Sequence, residues 1–360
     1  MNNMPSPLVM LDGATPPNNG VSGESLNLSS QAQDSNLSLI DRIESYEDIM
    51  NLEIGDTSIT RARNLEREHN LRQIYLKFEG SNPTGTQKDR IAFHQCHDAL
   101  RRGYDTITLA SCGNYGAAMA LASKLAGIRC VIFIPETYHT NRISEMEENG
   151  AVVRRYQGSY EESVKYSMQE AITNAWYDAN PGGNNTPLQL ISYSEIANEI
   201  YDVLRDAPKM VAVPVSNGTL LAGIYRGFVS LHKRGKTSRI PLMIAASSTH
   251  KNPIIYSFQK ELESCTDLVQ EKIKETKINE PLINWHSFDG DEALYAIRQS
   301  GGTAYHISDD KMSRLARELK VKEGLHVLPA ATAGLAALLD LNAKSMLDPD
   351  RYVVILTGRR

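Results

Sequence analysis

The chain has 360 residues, with 38 Lys and Arg against 43 Asp and Glu for a net charge of −5. At roughly 150 residues per domain this leaves room for two lobes or one large α/β unit, and the balanced charge gives no basis for binding nucleic acid or a membrane surface. Hydrophobic residues at 41% and charged residues at 22% are ordinary for a soluble globular chain. The longest apolar stretch, 327–339, is broken by Pro329, Thr332 and Gly334, and falls short of the roughly 20 residues that span a bilayer. Cys96, Cys112, Cys130 and Cys265 form no C-x-x-C pair, so neither a zinc site nor a disulfide framework is indicated, and a cytoplasmic location is expected.

In chain order, residues 1–40 contain no Lys or Arg and are rich in Asn, Ser, Gly and Pro, a composition that predicts a flexible tail. From residue 73 onward, short apolar runs at 74–78, 106–110, 130–134, 151–153, 210–215, 242–246 and 352–356 read as strands. Helical periodicity fills 193–205, 220–233, 309–322 and 330–342 between them. Strand, crossover helix and strand in repetition predict an α/β protein with parallel-rich sheets covered by helices, and ligands then belong in the loops leaving the carboxyl ends of strands.

Four such loops carry the chemistry. In the first, from Glu79 to Arg90, Gly80 and Gly85 fit a phosphate-binding P-loop but Thr86 stands where its lysine belongs. Lys88 falls instead at a helix start, where the positive end of the dipole disfavours its ammonium and favours a nucleophilic amine. Read alone, such a lysine fits an ordinary solvated one on a helix's first turn; the surrounding residues reverse that reading. The second loop, Ser111, Cys112, Gly113, Asn114, Tyr115 and Gly116, precedes an Ala-rich helix and suits a carboxylate held by backbone amides, or a plain tight turn. The third, Ser216, Asn217, Gly218 and Thr219, joins a buried strand to a helix without any cationic side chain, which fits a phosphate anchored by amides and hydroxyls, or again a turn. In the fourth, the last strand delivers Thr357 and Gly358 to the same rim. No G-x-G-x-x-G occurs, so a nicotinamide dinucleotide is not expected.

In this order and spacing the motifs resemble the fold type II pyridoxal-phosphate enzymes, most closely threonine synthase and its relatives. The similarity runs from about Gly55 to the C-terminus and includes 289–294, Ser300-Gly301-Gly302 and Glu323-Gly324 leading to Pro329-Ala330. The resemblance implies pyridoxal 5'-phosphate bound covalently to Lys88, with Asn114 on the pyridine 3-oxygen and the phosphate on Ser216, Asn217, Gly218 and Thr219. It further implies Thr357 on the pyridine nitrogen, and Ser111, Cys112 and Gly113 on the substrate carboxylate, beside Tyr115. Lys88 would also be the base for the α-proton. A neutral hydroxyl opposite the pyridine nitrogen leaves the ring a weaker electron sink than an aspartate would, favouring elimination or replacement over transamination.

Some residues depart from the family pattern. Thr57-Ser58-Ile59 replaces its Thr-Pro-Leu, and Leu328 precedes Pro329 where relatives carry Glu. The stretch 190–195 lacks the Asn and Arg that hold a phosphorylated substrate. Arg359 and Arg360 follow Thr357 and either reach an anionic substrate group or fray. These readings predict a larger cofactor-binding lobe from 41–104 and 193–360, and a smaller mobile lobe at 105–192. The expected enzyme is a lyase or synthase acting on an amino acid at its β- or γ-carbon, as a homodimer. A β-replacement synthase using serine, O-phosphoserine or O-acetylserine, and a retired binding module, are the alternatives.

Overall fold

The computed structural model describes residues 20–111, 113–136, 138 and 142–360. Among these residues ten strands lie in two sheets: β1 (Ile59–Arg61), β2 (Ile74–Phe78), β3 (Thr106–Ala110), β4 (Arg129–Pro135), β5 (Val152–Tyr156), β6 (Tyr177–Asp178), β7 (Met210–Pro214), β8 (Leu242–Ser248), β9 (Thr303–Ile307) and β10 (Tyr352–Leu356). The six-stranded sheet runs β1-β2-β10-β7-β8-β9 and is parallel apart from β1, and the four-stranded sheet runs β5-β4-β3-β6 and is parallel throughout. Alternate residues of the larger sheet serve opposite cores. Leu76, Ala212, Ile244 and Val354 join the helix Ala333–Ser345, whereas Val211, Val213, Val353 and Ile355 join the helix Thr219–Lys233.

All seven expected strands form, and β1, β6 and β9 are additional. The expected helix at 193–205 begins earlier, at Thr186, so the lobe boundary drawn at 192 falls inside one continuous helix, Thr186–Leu204. The four-stranded sheet's own segment ends before it.

The tail reading is corrected for residues 20–40. Gly23–Gln33 is a helix capped by Ser22, and Ser38 and Asp41 form a capping box for the next helix, Leu39–Glu53. Small side chains let the first of these helices sit close to the helix Asn114–Ala126, while the fully buried Tyr46 of the second donates its hydroxyl to the Ala122 carbonyl at 3.2 Å. Ala32 is fully buried, Ser29 Oγ donates to the Leu125 carbonyl at 3.1 Å, and Gln33 Nε2 donates to the Lys124 carbonyl at 2.9 Å. Residues 1–19 lie outside the described residues.

A buried ionic cluster joins the two sequence-distant halves of the larger sheet's scaffold. Arg90 Nε donates to Glu79 at 2.6 Å and Nη1 to Glu199 at 2.6 Å, while Lys77 pairs with Glu199 and donates to the Thr57 carbonyl at 2.6 Å. Two cations and two carboxylates therefore balance inside the protein. Arg90→Met leaves a buried carboxylate uncompensated and is expected to cost about 3 to 5 kcal/mol of unfolding free energy. Urea denaturation followed by circular dichroism checks it, and a midpoint unchanged from the parent would show that the cluster holds nothing together.

Candidate active site

A cavity of about 450 Å³ opens at the carboxyl ends of β2, β3, β7 and β10, where all four motif loops meet. Ser111, Gly113, Asn114, Tyr115, Ser216, Asn217, Gly218, Thr219, Lys88 and Thr357 all line it. Cys112 lies outside the described residues.

Lys88 opens the helix Lys88–Arg101. Burial lowers its amine pKa to about 8, opposed by the negative charge of Asp289. Its Nζ sits 5.3 Å from the Tyr115 ring centroid and makes no hydrogen bond or ion pair with any described residue. Its neighbours differ sharply. Burial raises the Asp89 carboxyl to about 7 while it accepts from the Thr84 amide at 3.0 Å and hydroxyl at 2.7 Å, and Arg90 enters the ionic cluster.

Two helix N-termini face the same space. Helix Asn114–Ala126 starts at Gly113, with Ser111 Oγ accepting from the Gly116 amide at 2.8 Å and the Gly113 amide at 3.3 Å. The remaining first-turn amides, together with the Ser111 hydroxyl proton, are left for an anion. Helix Thr219–Lys233 starts after Gly218, whose φ of +100° and close surroundings demand glycine: a Cβ there would meet Ala293 Cβ and the Asp289 carbonyl at 2.8 Å each. The turn is braced from below. Asn252 Nδ2 donates to the Ser216 carbonyl at 3.0 Å, Asn284 Nδ2 donates to Asn217 Oδ1 at 3.0 Å, and the Asp289 amide donates to the Asn217 carbonyl at 3.1 Å. The Thr219 hydroxyl pairs with the Asp289 carboxylate, whose pKa burial raises. The Asn114 amide and the Ser216 and Thr357 hydroxyls, by contrast, have no hydrogen-bond partner among the described residues.

Several expectations are redrawn by this geometry. Tyr115 presents its ring face to the cavity, but its hydroxyl is turned away, donating to the Ala179 carbonyl at 2.7 Å and meeting Gln95. Residues 192–195 lie mid-helix and do not line the cavity, whereas Gln189 of the same helix does. Arg359 neither frays nor reaches the cavity; its guanidinium clamps the first loop through the Gly80 and Pro83 carbonyls at 3.2 and 2.9 Å. Asp289, Glu161, Glu280 and Trp285 bear on the site without having been singled out for it. Only Asp289 carried a signal, as the first residue of 289–294.

A lysine amine and three polar groups without partners among the described residues, beside two anion-ready helix starts in one cavity, define a cofactor enzyme of the pyridoxal type. The sequence pattern of the pyridoxal-phosphate dependent enzyme family matches residues 50–358, and the chain belongs to that family. It is similar to the threonine synthase of Methanocaldococcus jannaschii, at 30% identity over 311 residues covering 86% of this chain and 75% of that protein. Among solved structures, a pyridoxal 5'-phosphate-dependent aspartate racemase aligns with a TM-score of 0.72 at 20% identity over 88% of this chain and 94% of its own. The processed form of threonine deaminase isoform 2 from Solanum lycopersicum aligns at 0.70 and 16% over 91% and 90%. These two share the fold. The protein is thus a pyridoxal-phosphate enzyme, threonine synthase-like, working by elimination or replacement, and the relatives do not favour the other two readings.

The donor set suits this cofactor: a neutral-leaning amine for its aldehyde, amides for its phosphate, and an amide and a hydroxyl for its ring heteroatoms. Gly218→Ala fills the turn with a Cβ and is expected to weaken cofactor affinity at least about tenfold, by analogy with losing a charge-assisted hydrogen bond. Titrating the apoprotein with pyridoxal phosphate measures this; an unchanged dissociation constant would move the phosphate elsewhere. The lowered Lys88 pKa also sets a pH dependence. The free amine is the reactive form, so covalent capture by the apoprotein should rise with pH around a midpoint of about 8, not the ordinary value of about 10.4. Stopped-flow absorbance across pH 6.5 to 10 reads the midpoint directly.

Proposed function

We propose that this enzyme removes or replaces a substituent on the β- or γ-carbon of an amino acid, and that O-phosphohomoserine is a poor substrate. The observation that carries the first half is the set of groups in one cavity without partners among the described residues: Lys88, Asn114, Ser216 and Thr357. Pyridoxal phosphate, when bound, supplies the electron sink that makes the α-proton of an attached amino acid acidic.

Everything else is done by the chain. Lys88 would hold the cofactor, and its Nζ, freed when substrate attaches, would accept the α-proton and later return it. The amides of Asn217, Gly218 and Thr219, with the Ser216 hydroxyl, would hold the phosphate, Asn114 Nδ2 would donate to the ring oxygen, and the Thr357 hydroxyl would face the ring nitrogen. Ser111, Gly113 and the start of helix Asn114–Ala126 would orient the α-carboxylate, which fixes which α-bond lies in line with the ring. The segment carrying the four-stranded sheet would move against the rest to admit substrate. We also expect a cytoplasmic homodimer, for which exposed Leu26, Leu39, Ile40 and Leu52 supply apolar surface. No helix among the described residues is long and apolar enough to cross a membrane.

The second half rests on charge. Among the described residues lining the cavity, Lys88 is the only cation. Arg359 is bound to carbonyls, Lys251 donates to the Lys274 carbonyl at 2.6 Å, and Arg154 lies 3.6 Å from Glu170. Without a charge-assisted bond worth about 1.5 to 3 kcal/mol, a substrate phosphate loses roughly tenfold to a hundredfold in binding.

Two measurements test the reading. The purified protein should be yellow, and borohydride reduction followed by peptide mapping should place the cofactor on Lys88; a label on another lysine overturns the assignment. Steady-state kinetics with O-phosphohomoserine, O-phosphoserine, O-acetylserine, serine and threonine should rank O-phosphohomoserine below the best substrate in kcat/KM by at least about tenfold. O-phosphohomoserine ranking first would make this a threonine synthase in the ordinary sense.

A further inference from the structure

The wall of the cavity remote from the four motif loops is built from an irregular segment that includes the short turn Glu280–Leu282, and from the start of the helix Tyr160–Asn174. Its ionisable side chains besides tyrosines are Glu161, Glu275 and Glu280. They are not equivalent. The Glu161 carboxylate accepts the Trp285 amide at 3.1 Å and also bonds the His286 amide, so it pins the wall to the helix and has little left to offer a ligand. Glu280 is different: among the described residues its side chain accepts a hydrogen bond only from Tyr138, and the charge of Glu275 lies near it. The indole Nε1 of Trp285, in the same wall, is a buried donor without an acceptor among the described residues.

We propose that Glu280, assisted by Glu275 and the Tyr138 hydroxyl, is the specificity-determining residue of this cavity, and that it selects a substrate whose far end carries a primary ammonium group. The inference rests on the functional reading above, which puts the amino-acid head of the substrate at the Lys88 end. A cation at the far wall offsets the charge of Glu280, which is half-buried and poorly solvated with the exposed Glu275 beside it, and takes up acceptor positions left open among the described residues. A phosphate at the same wall would meet like charge with no cation among the described lining residues to offset it. A hydroxyl tail is neutral on both counts and falls between. Burial and Glu275 together raise the Glu280 pKa, as expected for a carboxyl that gains from a cationic partner.

The test uses the holoenzyme and three amino acids of one chain length that differ only at the tail: 2,4-diaminobutyrate, homoserine and O-phosphohomoserine. Their dissociation constants are read from the change in cofactor absorbance on binding, independently of turnover. The wild-type protein should bind 2,4-diaminobutyrate most tightly and O-phosphohomoserine least. Glu280→Gln should weaken 2,4-diaminobutyrate about tenfold while leaving homoserine within about twofold, the size of a lost charge-assisted bond. Glu280→Lys should reverse the order of the ammonium and phosphate ligands. If Glu280→Gln weakens all three alike, or the wild-type protein prefers O-phosphohomoserine, Glu280 is a packing residue and the inference is overturned. If homoserine binds but the ammonium tail is not preferred, this inference alone falls. If no amino acid changes the absorbance, the functional reading falls and takes the inference with it.

Discussion

The structure depends on how one turn of helix keeps three adjacent ionisable residues in three different states. Arg90 is clamped between Glu79 and Glu199 inside the protein, with Lys77 completing the charge balance. That clamp reaches β2, the short turn after it and the helix Thr186–Leu204 at once, so the start of the helix Lys88–Arg101 cannot rotate without breaking several buried ionic bonds. Desolvation makes such a cluster costly to assemble and costlier to break, so its contribution is directional rather than additive. Asp89 then ties the same turn to Thr84 of the preceding loop. What is left is Lys88, whose backbone is fixed by its neighbours and whose amine alone faces the cavity. The fixed backbone and the lowered pKa have one origin: a rigid helix start, withdrawn from water, holds a charged guanidinium among carboxylates and disfavours an unpaired ammonium.

On the proposed reading, anions in this cavity are met by dipoles rather than by side-chain charge. The helices Asn114–Ala126 and Thr219–Lys233 both begin at its edge, and each offers orphan amides and a partial positive charge. Using amides for two anions would free the site from needing several lysines or arginines near Lys88. Such cations would lower its pKa further, and would also compete with the ring atoms for the same ligands. The Gly218 turn shows how tightly this is built, because residues 289 and 293, from far along the chain, close the space a side chain would need.

What the sequence revealed and what it hid follow from the range of the interactions involved. Strand-to-helix loops such as 111–116 and 216–219 are local constructions, in which glycines, small polar residues and the adjoining apolar run all sit within about ten residues, a scale on which turn chemistry is readable. Composition hides the helix Gly23–Gln33 because Ser25, Ser29 and Ala32 are polar or small, yet they are the residues that allow close approach to a neighbouring helix. Tyr115 shows the same limit at a single side chain. Its direction is set by Gln95 and Ala179, which sequence spacing does not place beside it.

The far wall escaped for a different reason. Glu275, Glu280 and Trp285 belong to a segment with only short turns and no repeating pattern, so no periodicity marks which of its side chains face inward. Chemistry common to a family can be written into short loops at strand ends, because the reacting atoms always lie in the same place relative to the sheet. Recognition of a substrate's far end has no such fixed address. It falls to whichever irregular segment closes the cavity, and there the sign of the charge does more than any motif to decide which substrates enter. On the proposed reading, Glu280 in that wall and Lys88 among the motif loops divide this cavity into an end that chooses the substrate and an end that performs the reaction.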